Sequence, residues 1–330
     1  MKDQSFRNII LFALTIALPV MAEAQGGFLH GTESLVDSDI PVAYYLVETM
    51  DGLFVPIGLR KPAGPGPFPT VVFASGNGGG GLDWVKDASH NRSWTLDRFL
   101  DAGYIAVWMR YRAEVELGYN KDERLVEDVR QGRQLFNRGP LEIDDEISII
   151  EFLKTMPFVD PNRVAHVGMS HGGEMAMKVT SQYDGLAAAV ANEPASHEFL
   201  GLTPDDTAFI TSDTGMWNIE DMQMRDADAT RERIDLELAL ERVSRISTPI
   251  LVQGRDDDHL QGIFRLTYEV LVEANKETEW KSYNHGEHGF IYVERGEDGQ
   301  YNPDSTQIEV VTDTIAWLDR YMSPEHLISR

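Results

Sequence analysis

The stretch Arg163–Gly173 contains the strongest chemical signal in the chain. It reads Arg-Val-Ala-His-Val-Gly-Met-Ser-His-Gly-Gly, and Gly168 to Gly172 fits the pattern Gly-x-Ser-x-Gly. An apolar β-branched run precedes this motif, and helix-forming residues follow it. Strand, tight glycine turn and helix, in that order, favour a nucleophile elbow that presents the hydroxyl of Ser170. A βα turn without chemistry is the alternative.

A serine hydroxyl needs a base to take its proton and a carboxylate to orient that base. On this kind of sheet the expected order along the chain is Ser, Asp, His. The acid candidates follow an apolar strand, in the run Gly-Arg-Asp-Asp-Asp-His at residues 254–259. The residues alone leave the choice open among Asp256, Asp257 and Asp258. An acidic surface turn is one alternative, and a metal site formed by Asp256, Asp258 and His259 is another.

The base candidate lies late in the chain, in the run Asn-His-Gly-Glu-His-Gly-Phe at residues 284–290. Glycines that flank a histidine suit a loop that presents an imidazole to a neighbouring strand end. We prefer His288 to His285, which would then be a loop residue or line the pocket.

An oxyanion needs two preorganised N–H donors. The first is expected from the backbone of His171, the residue after the nucleophile. The second is expected from the glycine-rich loop of residues 75–81, with Asn77 or Gly78 as donor. This loop lacks the Lys-Ser/Thr of a P-loop and the context of a dinucleotide site. A plain flexible loop is the alternative.

Two further positions fall at the carboxyl ends of expected strands, where open α/β sheets bind ligands. Glu193 follows one strand, and Arg110, Tyr111 and Arg112 follow another. We interpret Glu193 and Tyr111 as substrate-binding candidates, Glu193 for the amino terminus of a peptide. Solvated loop charge is the alternative for each position.

Apolar runs alternate with helical patterns over most of the chain, after a hairpin expected at Tyr44–Thr49 and Leu53–Arg60. The alternation predicts an α/β fold with a mostly parallel central sheet and helices on both faces. A polar stretch at about 194–229 is interpreted as a small lid insertion. The remaining expected strands are Thr70–Ala74, Tyr104–Met109, Val164–Met169, Leu186–Ala191, Ile250–Gln253 and Thr278–Tyr283. The expected helices are Ser93–Asp101, Glu142–Met156, one from His171, Thr230–Ile246, Gln261–Asn275 and Gln307–Tyr321.

The composition restricts the possible partners. The 330 residues include 54 acidic and 29 basic side chains, for a formal net charge of −25. An acidic surface repels nucleic acid and anionic membranes, so neither is expected as a partner. The chain has no cysteine, which excludes a cysteine nucleophile, disulfides and iron–sulfur clusters.

The first residues have the layout of a secretory signal peptide. Lys2 and Arg7 precede the apolar run Ile9–Val20, and Ala-Glu-Ala follows at positions 22–24. We expect cleavage after residue 24, which leaves residues 25–330 as a single domain that is secreted or periplasmic. The apolar run is too short for a comfortable membrane span, so no membrane insertion is expected after cleavage.

Three ordered motifs resemble the α/β-hydrolase superfamily, and most closely its dienelactone hydrolase and prolyl oligopeptidase-like branch. They are Asp160–Gly173, Pro249–Asp257 and Glu287–Phe290. The resemblance implies Asp257 as the acid, because the acid of that branch stands three residues after the glycine, and it implies His288 as the base. It also implies acyl transfer to water through an acyl-serine, with no metal or organic cofactor.

The resemblance favours a secreted serine hydrolase that cleaves a carboxylic ester with a triad of Ser170, Asp257 and His288. A serine peptidase of the prolyl oligopeptidase-like type, acting on short peptides, is the alternative. A non-catalytic binding module on a hydrolase fold is the third possibility, although such modules usually lack a triad member. The expected partner is a small-molecule ester or a short peptide, and the oligomeric state is left open.

Overall fold

A computed structural model describes residues 26–76, 80–111, 139–202 and 224–323. The strands of the described residues form one nine-stranded sheet. They are β1 (Gly27–Leu35), β2 (Ser38–Glu48), β3 (Phe54–Arg60), β4 (Phe68–Ala74), β5 (Ile105–Met109), β6 (Val159–Met169), β7 (Ala188–Asn192), β8 (Ile250–Arg255) and β9 (Thr278–Tyr283).

The helices lie mainly between the strands along the chain. They are α1 (Gly81–Asn91), α2 (Trp94–Asp101), α3 (Gly139–Lys154), α4 (His171–Thr180), α5 (Ala227–Arg231), α6 (Leu236–Ser244), α7 (Gln261–Glu273) and α8 (Ser305–Met322). No helix in the four described ranges combines the length and the apolar character that a membrane crossing requires.

The sheet has the strand order β1-β2-β3-β5-β4-β6-β7-β8-β9. The first three strands and β5 pair antiparallel, and β5, β4, β6, β7, β8 and β9 pair parallel. All six parallel strands therefore end at the same edge of the sheet, where their following loops lie side by side.

The two faces of the sheet are buried by different helices, as β4 shows. Val71 and Phe73 belong to a cluster with side chains of α1, α2 and α8. Val72 and Ala74 belong to a second cluster with side chains of α3 and α4. Successive side chains of a strand point to opposite faces, so this apolar run is buried on both sides, as expected for a central parallel strand.

The predicted fold class is confirmed: the sheet is mostly parallel, it is covered on both faces, and the predicted hairpin is the β2–β3 pair. The expected helix Thr230–Ile246 was wrong as one element. It is two helices, because Asp235 caps α6 by accepting a hydrogen bond from the amide of Leu238. β1 and α1 were not predicted.

The whole predicted signal peptide, residues 1–24, lies outside the described residues. So do residues 203–223 of the predicted lid. The described part of the lid segment packs closely. Phe199, Leu200 and Leu202 are buried in a third apolar cluster, together with Met224 and side chains of α7.

Candidate active site

Ser170 lies on a sharp turn between β6 and α4. Its backbone has φ 57° and ψ −113°, a conformation that a residue with a side chain rarely adopts. Glycines make the turn possible: a Cβ at Gly168 would lie 1.8 Å from the carbonyl oxygen of Gly172, and one at Gly172 would lie 2.2 Å from that of Ala74. The amide of Ser170 donates to the carbonyl of Asn192 on β7, at 2.9 Å, and fixes the turn.

His288 joins the serine to a carboxylate. Its Nε2 is 2.9 Å from Oγ of Ser170, and its Nδ1 is 3.1 Å from Oδ2 of Asp258. A carboxylate only accepts hydrogen bonds, so in the neutral form of the ring Nδ1 carries the proton and Nε2 accepts from the serine hydroxyl. The His288 side chain is 30 % exposed, whereas the Asp258 side chain is fully buried.

The structure corrects the predicted acid, because the carboxylate that contacts His288 belongs to Asp258 and not to Asp257. β8 runs on to Arg255, and the chain then turns through Asp257, whose φ is 60°. Asp257 is exposed, and its carbonyl accepts a hydrogen bond from Arg225. The acid therefore stands one residue later than the resemblance implied. The amide of Leu260 donates a hydrogen bond to Asp258 Oδ1 at 2.7 Å, so the turn that leads into α7 begins at this aspartate.

Asp258 is held as a carboxylate by four hydrogen-bonding groups. The Arg255 guanidinium contacts its Oδ2 at 2.6 and 3.0 Å, and His259 contacts its Oδ1 at 3.2 Å. Burial alone raises the pKa of Asp258, but the hydrogen bonds from His259, His288 and the Leu260 amide outweigh burial and hold this pKa far below its ordinary value.

Glu193 is the second carboxylate at the imidazole, and its predicted role in binding substrate needs correction. Its side chain is fully buried and offers no surface to a ligand. Oε2 accepts the amide of Gly289 at 2.7 Å. Oε1 lies 3.4 Å from Nδ1 of His288 and 3.4 Å from Nε of Arg255. The sequence places an acidic residue at this strand end, but it does not show whether the side chain faces the pocket or the protein interior.

These partners change the basicity of the imidazole. Burial alone lowers the pKa of His288, but its hydrogen bond to Asp258 and the Glu193 carboxylate 3.4 Å from Nδ1 outweigh burial and raise this pKa to about 10. The ring packs near Phe264, with a centroid separation of 6.1 Å and an interplanar angle of 24°. The site thus holds a strongly basic imidazole against the serine hydroxyl.

The expected oxyanion donors are only partly described. His171 is the first residue of α4, and the N–H groups of a helix's first turn lie at its N-terminal end, beside Ser170. The His171 ring is 2.8 Å from Glu142 and 3.6 Å from Glu174, so its side chain belongs to the interior. Asn77 lies outside the described residues.

Tyr111 also needs correction as a substrate-binding residue, because it is fully buried. Its hydroxyl donates to the carbonyl of Ser75 at 2.7 Å. Arg110 donates to the Ser75 hydroxyl at 2.5 Å and to the carbonyl of Gly76 at 2.9 Å. Both residues therefore fix the start of the glycine-rich loop, and burial raises the pKa of Tyr111 so that it remains a neutral donor.

Two other candidates from the sequence, His285 and Asp256, make their side-chain contacts with other residues than Ser170 and His288. His285 contacts Asp304 at 3.1 Å and stacks on Phe290. Asp256 is exposed and accepts from the hydroxyl of Ser282 at 2.5 Å. Asp256 therefore engages β9 rather than His288.

The sequence allows a metal site formed by Asp256, Asp258 and His259. In the described residues, however, the possible metal ligands that lie close together are a different set. Ligand atoms of Glu193, Asp258 and His288 lie within 4.8 Å of one another. The Arg255 guanidinium already contacts both carboxylates: it hydrogen-bonds Asp258 Oδ2 at 2.6 Å and lies 3.4 Å from Glu193 Oε1. A cation there would face this positive charge, so the donor set does not suit a metal ion.

A cleft of about 270 Å³ opens beside His288. The residues that line it include Ser75, Gly76, Trp84, Arg110 and Met169. The Arg110 guanidinium packs over the Trp84 ring at 4.3 Å. The cleft offers space for a small organic group next to the imidazole.

A serine on a nucleophile elbow, a histidine and a carboxylate, on loops after strands of one parallel sheet, define a serine hydrolase of the α/β-hydrolase fold. The chain belongs to the dienelactone hydrolase family, whose model matches residues 59–322. The resemblance stated from the motifs is thereby confirmed.

Solved structures of hydrolases share the fold. An acylaminoacyl peptidase from Pyrococcus horikoshii is 16% identical, with a TM-score of 0.57 over 90% of this chain and 50% of its own. An esterase from Pyrobaculum calidifontis is 15% identical, with a TM-score of 0.55 over 84% of this chain and 85% of its own. Dipeptidyl peptidase 4 from Porphyromonas gingivalis is 19% identical, with a TM-score of 0.54 over 86% of this chain and 36% of its own. This chain therefore spans half or less of each peptidase.

Proposed function

We propose that the protein is a serine esterase that hydrolyses a carboxylic ester through an acyl-Ser170 intermediate. The observation that carries this proposal is the line of hydrogen bonds from Ser170 Oγ through His288 to Asp258, at 2.9 and 3.1 Å. A hydroxyl next to a neutral Nε2 can lose its proton as it attacks a carbonyl carbon.

The reaction follows from this geometry. Ser170 Oγ bonds to the ester carbon while its proton passes to His288 Nε2, and the carbonyl oxygen becomes an oxyanion near the His171 amide. Asp258 stabilises the imidazolium. Nε2 then protonates the departing alcohol as the carbon–oxygen bond breaks. Water repeats the sequence on the acyl-serine, and His288 returns the proton to Oγ as the carboxylic acid leaves.

Two comparisons support an ester substrate. The family is named for hydrolysis of a dienelactone, which is a cyclic ester, and a structure that shares the fold is an esterase. The cleft beside the imidazole also suits a small acyl or alcohol group.

Peptide hydrolysis is the second candidate, because two proteins of the same fold are peptidases. The test compares the protein with its Ser170→Ala variant on p-nitrophenyl acetate and on an aminoacyl p-nitroanilide. We expect ester turnover that falls by at least about 10³-fold in the variant, and no anilide turnover. Anilide turnover that needs Ser170 would replace the esterase by the peptidase. Ester turnover that survives in the variant would reject the mechanism.

A further inference from the structure

We propose that Glu193 is a positioning residue for His288, so that the Nδ1 side of the imidazole faces two carboxylates: Asp258, which accepts its hydrogen bond, and Glu193, whose charge lies 3.4 Å away. The inference rests on the proposed function and refines the same site. The two acids arrive from different strand ends, Glu193 after β7 and Asp258 after β8, at 3.4 and 3.1 Å from the same nitrogen.

The setting of Glu193 is fixed on both sides. Oε2 accepts the amide of Gly289, the residue after His288, so the side chain holds the backbone of the histidine loop as well as facing its ring. The backbone of Glu193 has φ 44°, an uncommon conformation for a residue with a side chain. The amide of Glu193 donates to the carbonyl of Gln253 on β8 at 2.7 Å, which holds it there.

The positive charge of Arg255 offsets the repulsion between the Asp258 and Glu193 carboxylates. Two buried carboxylates so close together would repel each other, and burial of an unpaired charge is costly. The guanidinium hydrogen-bonds Asp258 and lies 3.4 Å from Glu193. With both carboxylates ionised and Arg255 protonated, these three groups carry a net charge of about −1. The imidazole therefore faces the same formal charge as in a site with one acid.

Besides the Phe264 ring, the other groups around the imidazole are a hydroxyl and a second histidine. Ser170 lies at Nε2, and the ring of His259 has its centroid 6.2 Å away, while its Nδ1 contacts Asp258. Among the described residues in contact with His288, the acids at Nδ1 are thus Asp258 and Glu193. If Glu193 stabilises the protonated ring, its loss should make the ring easier to deprotonate.

A purely structural role for Glu193 predicts a different outcome, because Gly289 needs only an acceptor. Glu193→Gln keeps an oxygen for that amide and removes the charge. Glu193→Asp keeps the charge on a shorter side chain. Asp257→Asn is the matched control, because it removes an exposed carboxylate from the loop that carries Asp258.

The experiment measures the His288 pKa by NMR, with the signal assigned from its absence in His288→Gln, and the pH dependence of kcat/KM for p-nitrophenyl acetate. We expect Glu193→Gln to lower this pKa by about one unit or more, and to move the rising limb of activity to lower pH by the same amount. In Glu193→Asp the His288 pKa and the pH profile should stay closer to those of the parent protein, and in Asp257→Asn they should be unchanged.

Additivity provides a second readout. Asp258→Asn should keep at least about tenfold more activity than the double variant with Glu193→Gln, because the Glu193 carboxylate still faces Nδ1. An unchanged His288 pKa in Glu193→Gln, or a double variant no worse than Asp258→Asn, would overturn the inference. The NMR titration needs no substrate. A shifted pKa without ester turnover would therefore retain Glu193 as a partner of His288 and reject the esterase.

Discussion

Replacement of Asp258 by asparagine tests the corrected acid most directly. The carboxylate accepts hydrogen bonds from His288, from Arg255 and from the Leu260 amide. Asparagine has one acceptor oxygen and an NH2 group, so at least one of these donors would face another donor. The imidazolium that forms during catalysis would also lose the negative charge now 3.1 Å from Nδ1.

The expected size of the effect follows from this charge. Two unit charges about 4 Å apart interact by about 4 kcal/mol at an effective dielectric constant of about 20. Each 1.4 kcal/mol, roughly, is a tenfold change in rate, so kcat/KM should fall by about 10³-fold. Glu193 remains at Nδ1, which keeps the loss below the roughly 10⁴-fold found where a triad has a single acid.

The assay is p-nitrophenyl acetate hydrolysis by Asp258→Asn and by Asp257→Asn. Circular dichroism and thermal unfolding of both variants control for misfolding. Asp257 is exposed, so its variant should stay within about threefold of the parent protein. Similar losses in the two variants, or an Asp258→Asn variant that loses less than about tenfold, would refute the assignment.

Two further predictions concern the base and the elbow. A pKa raised to about 10 keeps His288 protonated in the neutral range, and only the neutral ring accepts the serine proton. kcat/KM should therefore rise with pH through the neutral range and level off only above about pH 10; a profile flat from about pH 7 to 9 would contradict this. Gly172→Ala should lower the free energy of unfolding in urea by about 3 kcal/mol, because its Cβ would lie 2.2 Å from the Ala74 carbonyl oxygen. Gly31→Ala, which meets nothing within 4 Å, is the control, and equal effects would reject the steric explanation.

The inner parallel strands could be predicted because they are buried on both faces and appear as continuous apolar runs, and Ile250–Gln253 was short by two residues. The edge strand Thr278–Tyr283 was predicted with its observed bounds although most of its side chains are half-buried. β1 was missed because most of its side chains are exposed at the edge of the sheet, where no apolar pattern is required. α1 was missed because it begins at the glycine run, with Gly80 at φ 102°.

The site was predictable to the level of the loops. The Gly-x-Ser-x-Gly motif and the late histidine have short-range signals, and the structure brings Ser170 and His288 together. Which aspartate contacts His288 depends on how many residues the chain uses to turn after β8. Three adjacent aspartates do not reveal that number. The inward orientation of Glu193 depends on Arg255 and Gly289, which are distant in sequence, so no local pattern records it.

The hydrogen bonds of the site join distant parts of the chain: Ser170 and His288 are 118 residues apart, and Glu193 and Gly289 are 96 apart. Such contacts require large loops to close, whereas helices need only neighbouring residues. During refolding, helical structure can therefore return before the imidazole meets the serine. Recovered enzyme activity in this protein reports the completed chain topology, and a spectroscopic signal of secondary structure does not.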